Sequence, residues 1–376
     1  MSTDRCKKLL FCFATLMFFG IFWIPFHLDA QSKSWQLEWE KTVEAAKKEG
    51  KVHVYKFASF EPLDVFQKAY PEIKVVGVTG RGGQIEQRIF AERRAGQYLA
   101  DVVVHGVTPN YTEFYRAKIL DPIKPVLILP EVVDESRWWQ GKHSYSDRER
   151  EYVFVFVGGP QAGSFHYNSR LVNPREFKSF WDFLNPKWKG KVVARDIRAA
   201  GGHGTGGTIF LYHNPELGPE FIRRFYSETD VTLFRDVRQG TDWLAQGKFP
   251  ICHGCADIDE AKEKGLPVDS FGVMKEGAGL APRAGSIALL NKAPHPNAAK
   301  VFINWYLSRE GQAAVQKASA GGGDNSLRTD IPKDYLLPQN QRQEGVKYLN
   351  LSHADVLNME PIFKVITDAL NQAGKR

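Results

Sequence analysis

The chain has 376 residues, of which 43% are hydrophobic, 12% aromatic and 25% charged, and its formal net charge is +7. These are globular values for a chain of about two ordinary domains, and they exclude a disordered or fibrous protein, while no fixed-period repeat marks a solenoid. The positive excess is dispersed, with no Lys/Arg block interleaved with aromatics, so no nucleic-acid partner is expected, while an anionic ligand is compatible with it.

The chain opens with an address. Arg5, Lys7 and Lys8 precede an uncharged run over residues 9–26, Pro25 breaks that run near its end, and Ala30 offers a small residue for cleavage. A basic start, an apolar middle and a small-residue exit describe a secretory signal peptide over 1–30. The run approaches bilayer-spanning length, so an uncleaved N-terminal anchor is the alternative. Cleavage would remove Cys6 and Cys12 and leave one pair, Cys252 and Cys255. One pair does not make a disulfide-built scaffold, so stability must come from a core.

Residues 35–49 then read as an amphipathic helix stopped by Gly50, and 51–57 as a short buried strand. A helix over 63–70 ends at Pro71, a strand follows over 73–78, and a helix over 82–95 is closed by Gly96 with Ile85, Ile89 and Phe90 on one face. A strand over 101–105 and a helix over 111–118 complete the first series. The stretch 120–150 is rich in Pro, Trp and charge and carries weaker signals. Extended segments at 152–157 and 164–168 lead into a second series: strand 191–195, helices 208–212 and 219–227, strand 231–234, helix 238–246, strand 249–252 and helix 257–264. Strands alternating with helices predict parallel βαβ units, hence an α/β fold in two lobes, with ligands expected at the carboxyl ends of the strands.

The segment 293–312 (APHPNAAKVFINWYLSREGQ), supported by 50–55 (GKVHVY), 185–191 (NPKWKGK) and 245–251 (AQGKFPI), resembles the extracellular solute-binding proteins of bacterial ABC importers, in their ferric-iron-binding-like branch. The resemblance implies a two-lobed periplasmic-binding-protein (type II) fold that closes by hinge motion around one small-molecule solute. It also implies a periplasmic monomer that delivers this solute to an ABC permease and its ATPase. By analogy lobe I comprises 31–151 and 286–310, and lobe II comprises 152–285 and 311–376. Iron-binding members place two adjacent tyrosines after the strand corresponding to 249–252. Here that loop reads CHGCADID over 252–259, without tyrosine. Ferric iron prefers oxygen donors, so an anion or anionic chelate is the expected solute. Iron or another metal is the alternative, and a ligand-sensing module tethered by an uncleaved N-terminal helix is a second one.

Several residues are candidates for the cleft. Gly-rich residues 201–208 contain a lone GxGxxG at Gly202, Gly204 and Gly207, a weak nucleotide signal in an exported chain. They read instead as a loop presenting His203, Gly204 and Thr205 to the cleft, or as a purely conformational turn. In the first lobe, Arg81, Gly82 and Gly83 stand before a helix, where backbone amides and a guanidinium attract anions. Ser59 follows the first strand, Arg195 and Asp196 end a second-lobe strand, and Arg283 lies near the return crossing. Cys252 and Cys255 are expected to form a disulfide, with zinc binding or redox chemistry as the other readings of the motif, and His253 between them is expected to face the ligand. The sequence lacks GxSxG, HExxH and SxxK, so no enzymatic activity, cofactor or resident metal is expected.

Overall fold

The computed structural model describes residues 26–57, 63–80, 83–199, 205–282, 284–318, 325–334 and 336–374. Most of the signal segment, and Ser59, Arg81, Gly82, His203, Gly204 and Arg283, lie outside the described residues. The first helix spans Phe26–Glu49, starting earlier than expected. Among the described residues no helix is long and apolar enough to cross a membrane.

Two main sheets carry the molecule. The first has seven strands, in the order Lys74–Gly80, Lys51–Phe57, Val102–His105, Ser286–Leu290, Val153–Val155 and Ser144–Tyr145, with Leu120–Asp121 beside Ser286–Leu290. The first three are parallel, in a register that sets Tyr55 against Val78 on one side and Val103 on the other. Ser286–Leu290 runs antiparallel to all three of its partners. Because successive side chains alternate between faces, Val52 and Val54 pack with Phe66, Phe302 and Trp305, whereas Tyr55 and Val103 pack with Ile85, Ile89 and Phe114. Both faces are therefore covered, as the unbroken apolar run Val102–Val104 requires.

The second sheet has five strands, Thr232–Phe234, Val192–Arg195, Ile251–His253, Phe165–Asn168 and Val268–Ser270, the first three parallel. The helices Gly206–His213, Gly218–Glu228 and Glu360–Gln372 cover one face with Phe210, Phe221, Phe225, Ile362 and Ile366. A small sheet of Gly159–Gln161, Ala278–Ala281 and Tyr348–Asn350 sits beside it.

The chain crosses between the lobes later than expected at two of its three passages. Val153–Val155 belongs to the first sheet, because it pairs with Ser286–Leu290, and the passage follows Val157. The helix Arg309–Ala318 also stays with the first lobe, where Val315 and Leu327 enter the same core as Phe302 and Leu307. The final passage therefore lies beyond residue 327 instead of at 311. The passages pack tightly against one another. A Cβ on Gly285 would stand 2.3 Å from that of Val157, so these two strands touch backbone to side chain and admit only glycine there.

Arg328 ties the tail to the first lobe. Its side chain is fully buried, and its guanidinium binds Asp330 at 2.8 and 2.9 Å, Glu131 Oε2 at 3.1 Å and the carbonyls of Glu131 and Leu307. The segment 107–115 departs from the predicted plain helix, since Val107–Pro109 leads into a widened π turn over Asn110–Tyr115.

Candidate ligand site

The carboxyl end of Val192–Arg195 holds the most unusual side chain of the second lobe. Arg195 is only 6% exposed, its Nε is buried without a partner, and its guanidinium makes no hydrogen bond or ion pair with the described residues. Neighbouring Asp196 does not neutralise it. That carboxylate is taken by Arg198 at 2.8 and 3.2 Å and faces Arg235 at 3.5 Å. Burial pushes the Asp196 carboxyl up, and the Arg198 bonds outweigh this and hold it below the usual carboxylate range.

Close backbone approaches build the surroundings of Arg195. Gly254 adopts φ +80°, and a Cβ there would lie 3.0 Å from that of Arg195. Its N–H donates to Ser164 O at 2.8 Å. Ser164 Oγ in turn receives Gln161 Nε2 at 3.1 Å and abuts Gly207, where a Cβ would stand 2.3 Å away. The start of Gly206–His213, with Thr205 as its buried N-cap, is thereby pressed against the loop that flanks Arg195. Arg195, Thr205 and the loop 252–255 are thus brought to one rim, as the positions of the second-lobe strand ends require. Cys252 and Cys255 are joined by a disulfide and are buried against Val193, Phe234 and Leu244, out of reach of substrates.

His253 was expected to face the ligand, and the structure corrects this. The ring is 1% exposed and lies between Phe165, with centroids 4.6 Å apart, and Phe225, 5.6 Å away. Strand alternation is the reason: His253 shares its face with core residue Ile251, and Cys252 occupies the other. Burial first, and repulsion from His166 second, push its pKa down to about 3, and burial takes His166 down to about 4. Between pH 6.5 and 4 the unfolded chain takes up protons that these rings refuse in the folded lobe. Stability is therefore fully present above that window and falls as pH drops through it. Thermal unfolding across this range should show a declining midpoint, and His253→Phe should remove part of the decline; an unaltered slope would show that the ring is not buried neutral.

On the first lobe, Gly83 adopts φ +85° immediately before Gln84–Arg94. The described rim there includes residues that the sequence reading missed. His105, 5% exposed at the end of its strand, accepts the Gly106 N–H at Nδ1 over 2.7 Å. Its Nε2 lies 3.5 Å from Glu86 Oε2, and its ring rests beside Phe57. Burial lowers the His105 pKa, and Glu86 opposes that shift. Below it, Asn110 donates to Ser286 Oγ at 2.9 Å, and that hydroxyl donates to His105 O at 2.8 Å. The signal was present in the sequence: a histidine closing a run of valines, and an acid in the first turn after a glycine loop.

The sequence profile described as bacterial extracellular solute-binding protein matches residues 40–313. An uncharacterized protein of Haemophilus influenzae is 24% identical over 287 residues, 73% of this chain and 77% of that one. Among solved structures, the Trichodesmium protein FutA, in complex with iron and citrate, is 17% identical with a TM-score of 0.60, covering 87% of this chain and 100% of that one. AfuA from Actinobacillus pleuropneumoniae, with fructose-6-phosphate bound, is 19% identical with a TM-score of 0.50, covering 86% and 99%. These structural likenesses concern the two-lobed fold.

Proposed function

The chain belongs to the bacterial extracellular solute-binding protein family, and from that premise we propose that it captures a small anionic solute, or an anionic metal chelate, between its two lobes for an ABC importer. The observation that carries this reading is Arg195, a buried guanidinium with no hydrogen-bond or ion-pair partner among the described residues. An uncompensated buried cation is costly, and the cost is relieved when an anion supplies the missing charge and acceptors. The start of Gly206–His213 adds backbone N–H groups at the same rim. Arg81 and the amides of Gly82 and Gly83, with Ser59, are proposed to close over the solute from the first lobe, and Arg283 near the return crossing and His203 and Gly204 before Thr205 are proposed to join them. The basic N-terminal segment supports export to the periplasm, with the permease and ATPase of the importer as partners and a monomer as the working unit.

Relatives with this fold have been solved with iron and citrate and with a phosphate ester. A fixed cation at Arg195 suits the anionic component in either case and repels an uncomplexed ferric ion. Calorimetry on exported, ligand-stripped protein tests the reading, against fructose-6-phosphate, a phosphonate, citrate, ferric citrate and ferric iron supplied without a strong chelator. Saturable binding of one of the anionic solutes is expected. Binding confined to the uncomplexed iron would overturn it.

A further inference from the structure

We propose that the first lobe carries a second site, for a divalent transition-metal ion of the zinc type, formed by His53 and His295 over Asp101. The site lies at the entering ends of Lys51–Phe57 and Val102–His105 and just before the helix Pro296–Leu307. That is the end of the sheet opposite to Gly80 and His105, so it is separate from the solute rims.

One nitrogen of each ring and a carboxylate oxygen of Asp101 lie within 4.8 Å of one another. Asp101 is fully buried; Oδ1 accepts the His295 N–H at 2.8 Å, and Oδ2 accepts the His53 N–H at 2.7 Å. Those two bonds alone clip the strand to the helix. The imidazoles do more than a clip requires. His53 Nδ1 donates to Leu99 O at 2.7 Å, and His295 Nδ1 donates to Asp101 Oδ2 at 2.9 Å. Carbonyl and carboxylate oxygens only accept, so each Nδ1 carries a proton, and in the neutral imidazole this leaves Nε2 as the atom that a metal would take. A histidine whose far nitrogen is held by a carboxylate or carbonyl is the usual support of a metal ligand.

The spacing fits as well. Two imidazoles sharing one tetrahedral ion at about 2.0–2.1 Å per bond place their ring centroids roughly 5.1 Å apart. Here the centroids are 5.3 Å apart with the planes inclined at 65°. Both rings are partly exposed, so an ion can enter and keep water in its remaining positions. Neutral imidazole pairs favour zinc, nickel or copper over magnesium or calcium.

The test is equilibrium dialysis of the ligand-stripped chain against zinc chloride at pH 7.5, with His53→Gln and His295→Gln as variants. One equivalent is expected in the unaltered protein, and each variant should bind at least tenfold more weakly, with unchanged solute affinity. Substoichiometric binding, or binding indifferent to both substitutions, overturns the proposal. Should a variant fold poorly, carbethoxylation of the unaltered protein followed by peptide mass spectrometry decides the matter. Zinc should then protect His53 and His295 together, and modification unaffected by zinc overturns the site.

Discussion

Replacing Arg195 by alanine should lower affinity for the anionic solute roughly ten- to hundredfold, since a charge-assisted hydrogen bond contributes about 1.5–3 kcal/mol when desolvated and about 1.4 kcal/mol is tenfold. The empty protein should not lose stability. The guanidinium has no partner among the described residues, so its removal deletes a buried cation and breaks no bond. The unfolding midpoint of ligand-free protein should stay level or rise, while the midpoint shift induced by the solute should shrink. Arg195→Lys would restore the charge without the planar fork, and should recover only part of the affinity if the solute is held bidentately. Calorimetry and thermal unfolding on the same preparations separate these outcomes. An affinity indifferent to Arg195→Ala would remove the main support for an anionic solute.

The opposite behaviour is expected of Arg328, which is equally enclosed but fully partnered. Arg328→Met would keep an apolar stem of similar length and delete the fork, including its cation–π contact over the Trp138 ring. The carbonyls of Glu131 and Leu307 would lose their donors, and each buried acceptor left unsatisfied costs about 1–3 kcal/mol. Glu131 and Asp330 are partly exposed and can turn to water, so they add less. The Arg328 hydrogen bonds hold the Asp330 carboxyl below its ordinary range, and that contribution, present above the unfolded carboxylate range and lost on acidification, should disappear in the variant. A total of roughly 3 kcal/mol corresponds to a fall of about 6–12 °C in the unfolding midpoint of a domain of this size. Differential scanning calorimetry would read it, and a shift below about 2 °C would show that the network is dispensable.

The alternation of short apolar strands with helices stopped by glycine or proline made the α/β architecture legible, because periodicity is a local property. The passages between lobes were not. Val153–Val155 is apolar in either lobe, and only its pairing with Ser286–Leu290, far along the chain, decides where it belongs. The amphipathic pattern of Arg309–Ala318 likewise signals a covered face without naming the surface that covers it. Arg195 could be picked out as a strand-end arginine, yet its isolation depends on Arg198 claiming Asp196, which spacing does not reveal. His253 was misread because its neighbouring cysteines drew it into a motif, whereas counting parity from Ile251 places it in the core. His53 and His295 are remote in sequence, and their meeting over Asp101 is purely a consequence of the sheet.

The place of Ser286–Leu290 also dictates an order of events. This strand fills the middle of the first sheet, between Val102–His105 and Val153–Val155, although the whole second sheet, from Phe165 to Ser270, precedes it in the chain. A chain emerging from its amino end can assemble the second sheet while the first still has a gap at its centre. The nascent first lobe must therefore wait, unclosed, with Val103 and Phe154 lacking the strand that unites them. Loop closure over that span is slow relative to local helix formation. The late arrival of one central strand thus acts as a built-in delay, keeping the larger sheet incomplete until more than two-thirds of the chain has been made.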